Sequence, residues 1–266
     1  IPKDFKEGVL FHKCISERLY NFRGYHLYLK DNRLTVNMSH AAPSNAISRI
    51  TQKPVLRNQW VQLTMTYDGS SKAKGLKLFE NGTEQKLETT MDQLTKDILL
   101  NSKEQPGLQI GAWDRGLGFK GGKVDDIMVY NRELSDFEIK VLAGKASWAS
   151  IVKKDPTQFS STELGVLNRY YSSVIDPAVQ LDQRILKQIR TELADSVNNI
   201  QELMVMQDSP QPKKTFILKR GNYDNLGEEV FPNAPSSILP FPNKLPKNRY
   251  GLALWLTDAD HPLTAR

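Results

Sequence analysis

The sequence predicts a mainly β jelly-roll sandwich, followed by an α-helical region with a long helix and an extended Pro-rich tail. Three observations predict it. Short runs that alternate apolar and polar residues, with turn residues between them, recur over residues 1–144. From about residue 133 the apolar period lengthens to three and four, the period of a helix, and it recurs in segments of a helical region over 145–207. Over 208–266 the period is lost and prolines crowd the chain, which reads as extended segments lying over a neighbouring surface.

The β elements follow in order. "GYHLYLKDNRLTVNM" (24–38) is two alternating runs around a turn, a hairpin signal. "QWVQLTMTYDG" (59–69) is a strand in which Trp60 reads as core, ending at Asp68-Gly69. "GLKLFENGTEQKLE" (75–88) is a hairpin with Asn81-Gly82 at its tip, because both central residues of the preferred tight turn need positive φ. "GLQIGAW" (107–113) and "KVDDIMVYN" (123–131) read as two further strands.

The helices carry their own start and stop signals. In "ELSDFEIKVLAG" (133–144), Ser135 is an N-cap, Glu138 completes a capping box and Gly144 ends the helix. Residues 145–159 read as a linker, and "SSTELGVLNRYYSS" as a helix capped by Ser161. Asp176-Pro177 opens a helix over about 176–207, with Leu186, Ile189, Leu193, Val197, Ile200 and Met204 in a coiled-coil-like stripe. Such a stripe needs a partner: the preceding helix, another part of a longer protein, or a second copy in a dimer. "YGLALWLTDADHPLTAR" reads as a short helix and a turn.

Composition narrows the function classes. With 266 residues, 39% hydrophobic and 25% charged, the chain can bury a core as one large domain or two smaller ones. The net charge is +6, but Lys and Arg are interleaved with Asp and Glu and no recognised motif accompanies them, so no nucleic acid partner is expected. No apolar stretch approaches the roughly 18 residues of a membrane span. The single cysteine, Cys14, permits neither an internal disulfide nor a C-x-x-C-H haem site, and beside Phe11 and Ile15 it reads as a small buried hydrophobe. The opening "IPKDFKEGVLF" has no initiator Met and reads as the start of an excised piece.

Gly116, Gly118 and Gly121 match the G-x-G-x-x-G spacing of a dinucleotide loop. That loop needs a helix after the glycines to receive the pyrophosphate, and "KVDDIMVYN" follows instead, so the glycines read as a tight β–β connection. The four histidines, His12, His26, His40 and His261, show no zinc-ligand spacing and read as surface or satisfied residues. Asp68, Asp114, Asp125 and Asp126, near turns, are the candidates for Ca²⁺, set against a plain turn-forming role. Trp113, in the Gly-rich loop, is a candidate sugar-stacking platform, with Asp114 and Arg115 beside it as ligand-binding candidates. No catalytic residue is expected, since no carboxylate pair stands out by spacing as a glycosidase needs.

"QWVQLTMTYDGS", "LFENG", "LQIGAW" and above all "GGKVDDIMVYNRELSDFEI" resemble the laminin-G-like, concanavalin A-like jelly-roll superfamily, over about residues 1–144. Against that family the chain starts after the usual first strand, so the sandwich is expected to lack one. "TFILKRGNYDNLGEEVFPNAP" and "NRYGLALWL…HPLTAR" resemble the start of a domain of unknown function from large multidomain planctomycete-type proteins linked to cytochrome c. The resemblance implies a non-catalytic carbohydrate- or protein-binding module in an exported, periplasmic or cell-surface bacterial protein. Its partners would be a glycan or protein ligand and other domains of the same polypeptide, and haem c would belong only to those other parts. The alternative is a structural scaffold within a haem-linked redox enzyme acting on sugars.

Overall fold

The computed structural model describes residues 1–15, 23–99, 107–113, 116–201, 203, 208 and 213–264. The chain divides into two compact units, Ile1–Gln201 and Glu202–Arg266.

The first unit opens with a β sandwich. Its strands are β1 (Gly8–Cys14), β2 (Gly24–Lys30), β3 (Arg33–Ala41), β4 (Asn45–Thr51), β5 (Leu63–Tyr67), β6 (Leu76–Glu80), β7 (Thr83–Glu84), β8 (Leu87–Asp92) and β9 (Gln109–Ile110). One antiparallel sheet runs β8-β4-β3-β2-β1-β9 and the other β5-β6-β7. Alternation explains both faces. Leu27, Leu29, Leu34, Val36, Met38 and Ile47 point inward, where they meet Leu76 and Leu78 of β6 in one core. Each fully buried Leu, Ile or Val stabilises by roughly 1.5–3 kcal/mol. The alternate residues of β1 to β4 form the outer face. Asp31 (φ 49°) and Asn32 (φ 62°) turn β2 into β3, and Asn81 (φ 48°) and Gly82 (φ 75°) turn β6 into β7, both as expected from the short polar side chains that tolerate this conformation.

The helices are α1 (Asp136–Leu142), α2 (Trp148–Lys153), α3 (Ser161–Tyr170) and α4 (Pro177–Asn198), with a π-helical turn at Tyr171–Ile175. Ser135 accepts from the Glu138 amide in a capping box, and Phe137 and Ile139 bury the helix face, with Ile139 packed on Phe79 of β6 and Leu134. Phe137 also meets Trp148 edge-on at 4.4 Å, and Trp148 meets Tyr170 at 4.7 Å, an aromatic hinge joining α1, α2 and α3.

The second unit holds an antiparallel hairpin of β10 (Thr215–Leu218) and β11 (Leu226–Val230), and α5 (Arg249–Leu256) capped by Asn248. Trp255 is buried, its Nε1 donates to the Leu239 carbonyl, and His261 packs edge-on against it at 4.5 Å.

Several elements differ from the sequence expectation. Residues 123–130 form no strand: Val124, Ile127, Met128, Val129 and Tyr130 are all exposed, because the segment pairs with no neighbouring strand. The 75–88 hairpin is short. After two paired positions the chain leaves β7 and crosses as β8 to pair with β4 in the other sheet. Trp60 is 66% exposed, since β5 begins only at Leu63 and Trp60 lies in the irregular approach. The expected linker contains α2, ordered by Trp148 on Phe137. Ser160, one residue earlier than expected, caps α3 in a capping box with Glu163. The long helix is 22 residues and stops at Asn198, where two successive asparagines are poor helix formers and Asn199 caps the end. Ile200 therefore lies beyond it, and Met204 lies outside the described residues.

Lys96, Asp97 and the end of α4 meet. Asp97 N–H donates to Asn198 Oδ1, the Asn198 amide donates back to the Asp97 carboxylate, and Lys96 Nζ donates to the Ile200 carbonyl at 3.3 Å. A cation here suits the negative end of the helix dipole. Asn45 fixes the loop from the sheet side: its Oδ1 accepts from Thr95 and Lys96 amides and its Nδ2 donates to Thr95 Oγ1.

Candidate ligand-binding site

The outer face of the larger sheet carries a polar row built by register. Gln109 of β9 stands opposite His12, His12 opposite His26, His26 opposite Asn37, and Asn37 opposite Ser48. Cross-strand partners of this kind sit about 4.5–5.5 Å apart at Cβ, so the five side chains form one continuous strip. His12, Asn37 and Ser48 are buried. Trp113, three residues past β9, lies over the strip. Its ring meets His12 at 4.6 Å and 79° and His26 at 5.7 Å and 70°, both edge-to-face. Tyr28 continues the aromatic rim, 6.2 Å from His26.

Burial sets the protonation of this strip. His26 keeps part of its ring at the surface, but Nδ1 is fully enclosed with no hydrogen-bond partner. Desolvation, helped by the neighbouring His12, pushes its pKa down to about 4. His12 is also held below the ordinary histidine value by burial. Cys14, Gln109 and Ala112 oppose that shift, yet none closes a hydrogen bond of good geometry on Nε2. Cys14 Sγ lies 3.5 Å from His12 Nδ1, and burial raises its thiol to about 12, so it is an inert thiol rather than a nucleophile. At neutral pH the strip is thus uncharged, with hydrogen-bonding groups beneath an aromatic ring.

The sequence candidates fall in different places. Trp113 stands on this strip, while Asp114 and Arg115 lie outside the described residues. Asp68 forms a turn: its Oδ1 accepts from the Ser70 amide and its carbonyl from Arg190. Asp125 Oδ1 accepts from the Asp126 amide, which holds Asp126 at φ 51°. Among the described residues no three His, Cys, Asp or Glu side chains gather to hold a metal. Ca²⁺ takes six to eight oxygens, and the described carboxylates do not assemble that set.

The glycine loop is a packing device. Gly118 pairs with Val9 of β1, and a Cβ added there would meet the Gly111 carbonyl at 2.3 Å. Gly116 (φ 74°) and Gly121 (φ 70°) take the left-handed conformation, and no helix begins between Gly121 and Asp136. Neither a helix N-terminus nor a strand follows the glycines, so the loop cannot cradle a pyrophosphate.

Sequence reasoning passed over Asn37, Ser48 and Gln109 and read His12 and His26 as surface or satisfied residues, whereas His12 is buried and each ring keeps a buried nitrogen without a partner. In the structure His26 and Tyr28 alternate with the buried Leu27 and Leu29 along β2. Only the cross-strand register shows that these polar residues line up.

No curated protein matches the chain. It is similar to a solved structure of residues 221–444 of an S-layer domain-containing protein from Clostridium thermocellum ATCC 27405. The identity is 18% and the TM-score 0.22, over 54% of this chain and 65% of that one. This chain therefore spans just under two thirds of that structure, and a likeness so slight carries no argument. The family profile described as the concanavalin A-like lectin/glucanases superfamily matches residues 6–140. The match spans β1 through most of α1, takes in both sheets and the polar strip, and covers half of the chain: the protein belongs to the concanavalin A-like lectin/glucanase superfamily.

Proposed function

We propose that the chain is a non-catalytic binding module of an exported or cell-surface protein, and that a glycan is its ligand. The observation that carries this reading is Trp113 set edge-on against His12 and His26 above an uncharged polar strip. A sugar offers apolar C–H faces and a ring of hydroxyls, which match an indole beside neutral donors and acceptors. The strip contains no carboxylate, which argues for recognition without glycosidic cleavage at this face. Asp114 and Arg115, which follow Trp113 in the sequence, are proposed as further ligand contacts. The family relationship supports the same reading.

The test is a glycan-array screen of the whole chain beside Trp113→Ala and His26→Ala, with folding checked by circular dichroism. Binding that both substitutions abolish supports the reading. Folded protein that binds no glycan, or binding indifferent to both substitutions, overturns it and favours the scaffold alternative.

A further inference from the structure

The long helix α4 carries an apolar stripe that nothing described in its own unit covers. Leu181, Ile185, Ile189 and Leu193 stack at i, i+4 spacing, with Leu186 beside them, and all five are between 45% and 63% exposed. No residue of α4 is buried. The side that meets the sandwich is another one: Val179, Arg190, Ala194, Val197 and Asn198 are the half-buried residues of α4, and Arg190 and Asn198 make its hydrogen bonds to Asp68 and Asp97.

We propose that this stripe is a homodimer interface, on which α4 of a second copy lies antiparallel. Charge selects both the occupant and its direction. Arg184, Gln188 and Glu192 form an i, i+4 row along one border of the stripe, and Gln188 donates to Glu192 at 2.9 Å. The row runs from cation to carboxylate along the helix. A parallel copy would face this row with the opposite border of the partner's stripe, so Arg184 and Glu192 would not meet. An antiparallel copy, its two-fold axis near Gln188, sets Arg184 of each helix against Glu192 of the other and places Gln188 beside its own symmetry mate. The row is therefore complementary to itself only when reversed, as an isologous two-fold interface requires. The two helix dipoles oppose one another in the same arrangement. Asp182 falls within the stripe near its N-terminal end, where crossing helices diverge and its carboxylate stays in water.

Sedimentation velocity of the full chain over a wide concentration range tests this. The expected result is a monomer–dimer equilibrium that Ile189→Asp shifts to monomer while circular dichroism stays unchanged. Arg184→Glu and Glu192→Arg are each expected to weaken the dimer by roughly fivefold to tenfold, and the double reversal to restore it, because it recreates both pairs. A chain that is monomeric throughout, a dimer insensitive to Ile189→Asp, or a double reversal no better than the singles would overturn the proposal.

Discussion

His12 and His26 face each other across β1 and β2, and one indole, Trp113, closes over both. The two imidazoles share an enclosure that disfavours the charged form of either. Protonating one raises the cost of protonating the other, on top of the desolvation each already bears.

A pH dependence of stability follows. The folded pKa of His26 lies at about 4, below its ordinary value of 6.5, so between these pH values the unfolded chain binds the extra proton. Stability is complete above the higher value, declines as pH falls through the window, and levels off below the lower one. The loss is about 3 kcal/mol at its limit. Urea midpoints at the two ends of the window measure it, and His26→Asn should flatten the difference. An unchanged slope in that variant would mean that His26 titrates normally.

Trp113→Ala should let water reach both rings. The pKa of His12 and of His26 should then rise toward the ordinary value, as read from imidazole proton shifts in an NMR titration. Rings that titrate as before would show that something other than the indole encloses them.

The glycine loop offers a steric test. Gly118→Ala drives a methyl into the Gly111 carbonyl and should cost about 1–3 kcal/mol, seen as a lower thermal midpoint. Gly107→Ala, with nothing near its Cβ, is the matched control and should leave the midpoint unchanged.

Helix capping at α3 separates two adjacent serines. Ser160 accepts the Glu163 amide and Ser161 is the first helical residue. Ser160→Ala should lower stability by about 1 kcal/mol, and Ser161→Ala should change it by less than about 0.5 kcal/mol. Denaturant midpoints of the two variants decide the assignment.

The parts of the fold that were legible in the sequence were those fixed by neighbours in the chain. Asp31-Asn32 and Asn81-Gly82 announce their turns because the conformation they need is intrinsic to those residues. Ser135 with Glu138 announces α1 because the cap lies three residues away. What depends on distant partners was hidden. Val124 to Tyr130 have strand composition, yet a strand exists only where another backbone pairs with it. Trp60 has the chemistry of a core residue, but its place before β5 leaves it in solvent. The polar strip was the least legible of all. Each of its residues is unremarkable within its own strand, and only the registers of four strand pairs bring them into line.

The contacts of Lys96 and Asp97 with the end of α4 also decide how the chain carries a mechanical load. Tension arriving from beyond Gln201 meets the sandwich first at that junction, through Asn198 on Asp97 and Lys96 on the Ile200 carbonyl. From there it passes through Asn45 into β4, a strand paired on both sides within the larger sheet. The helices and the aromatic hinge at Trp148 are thereby shielded from force until the junction gives way. They lie behind a clasp of a few hydrogen bonds.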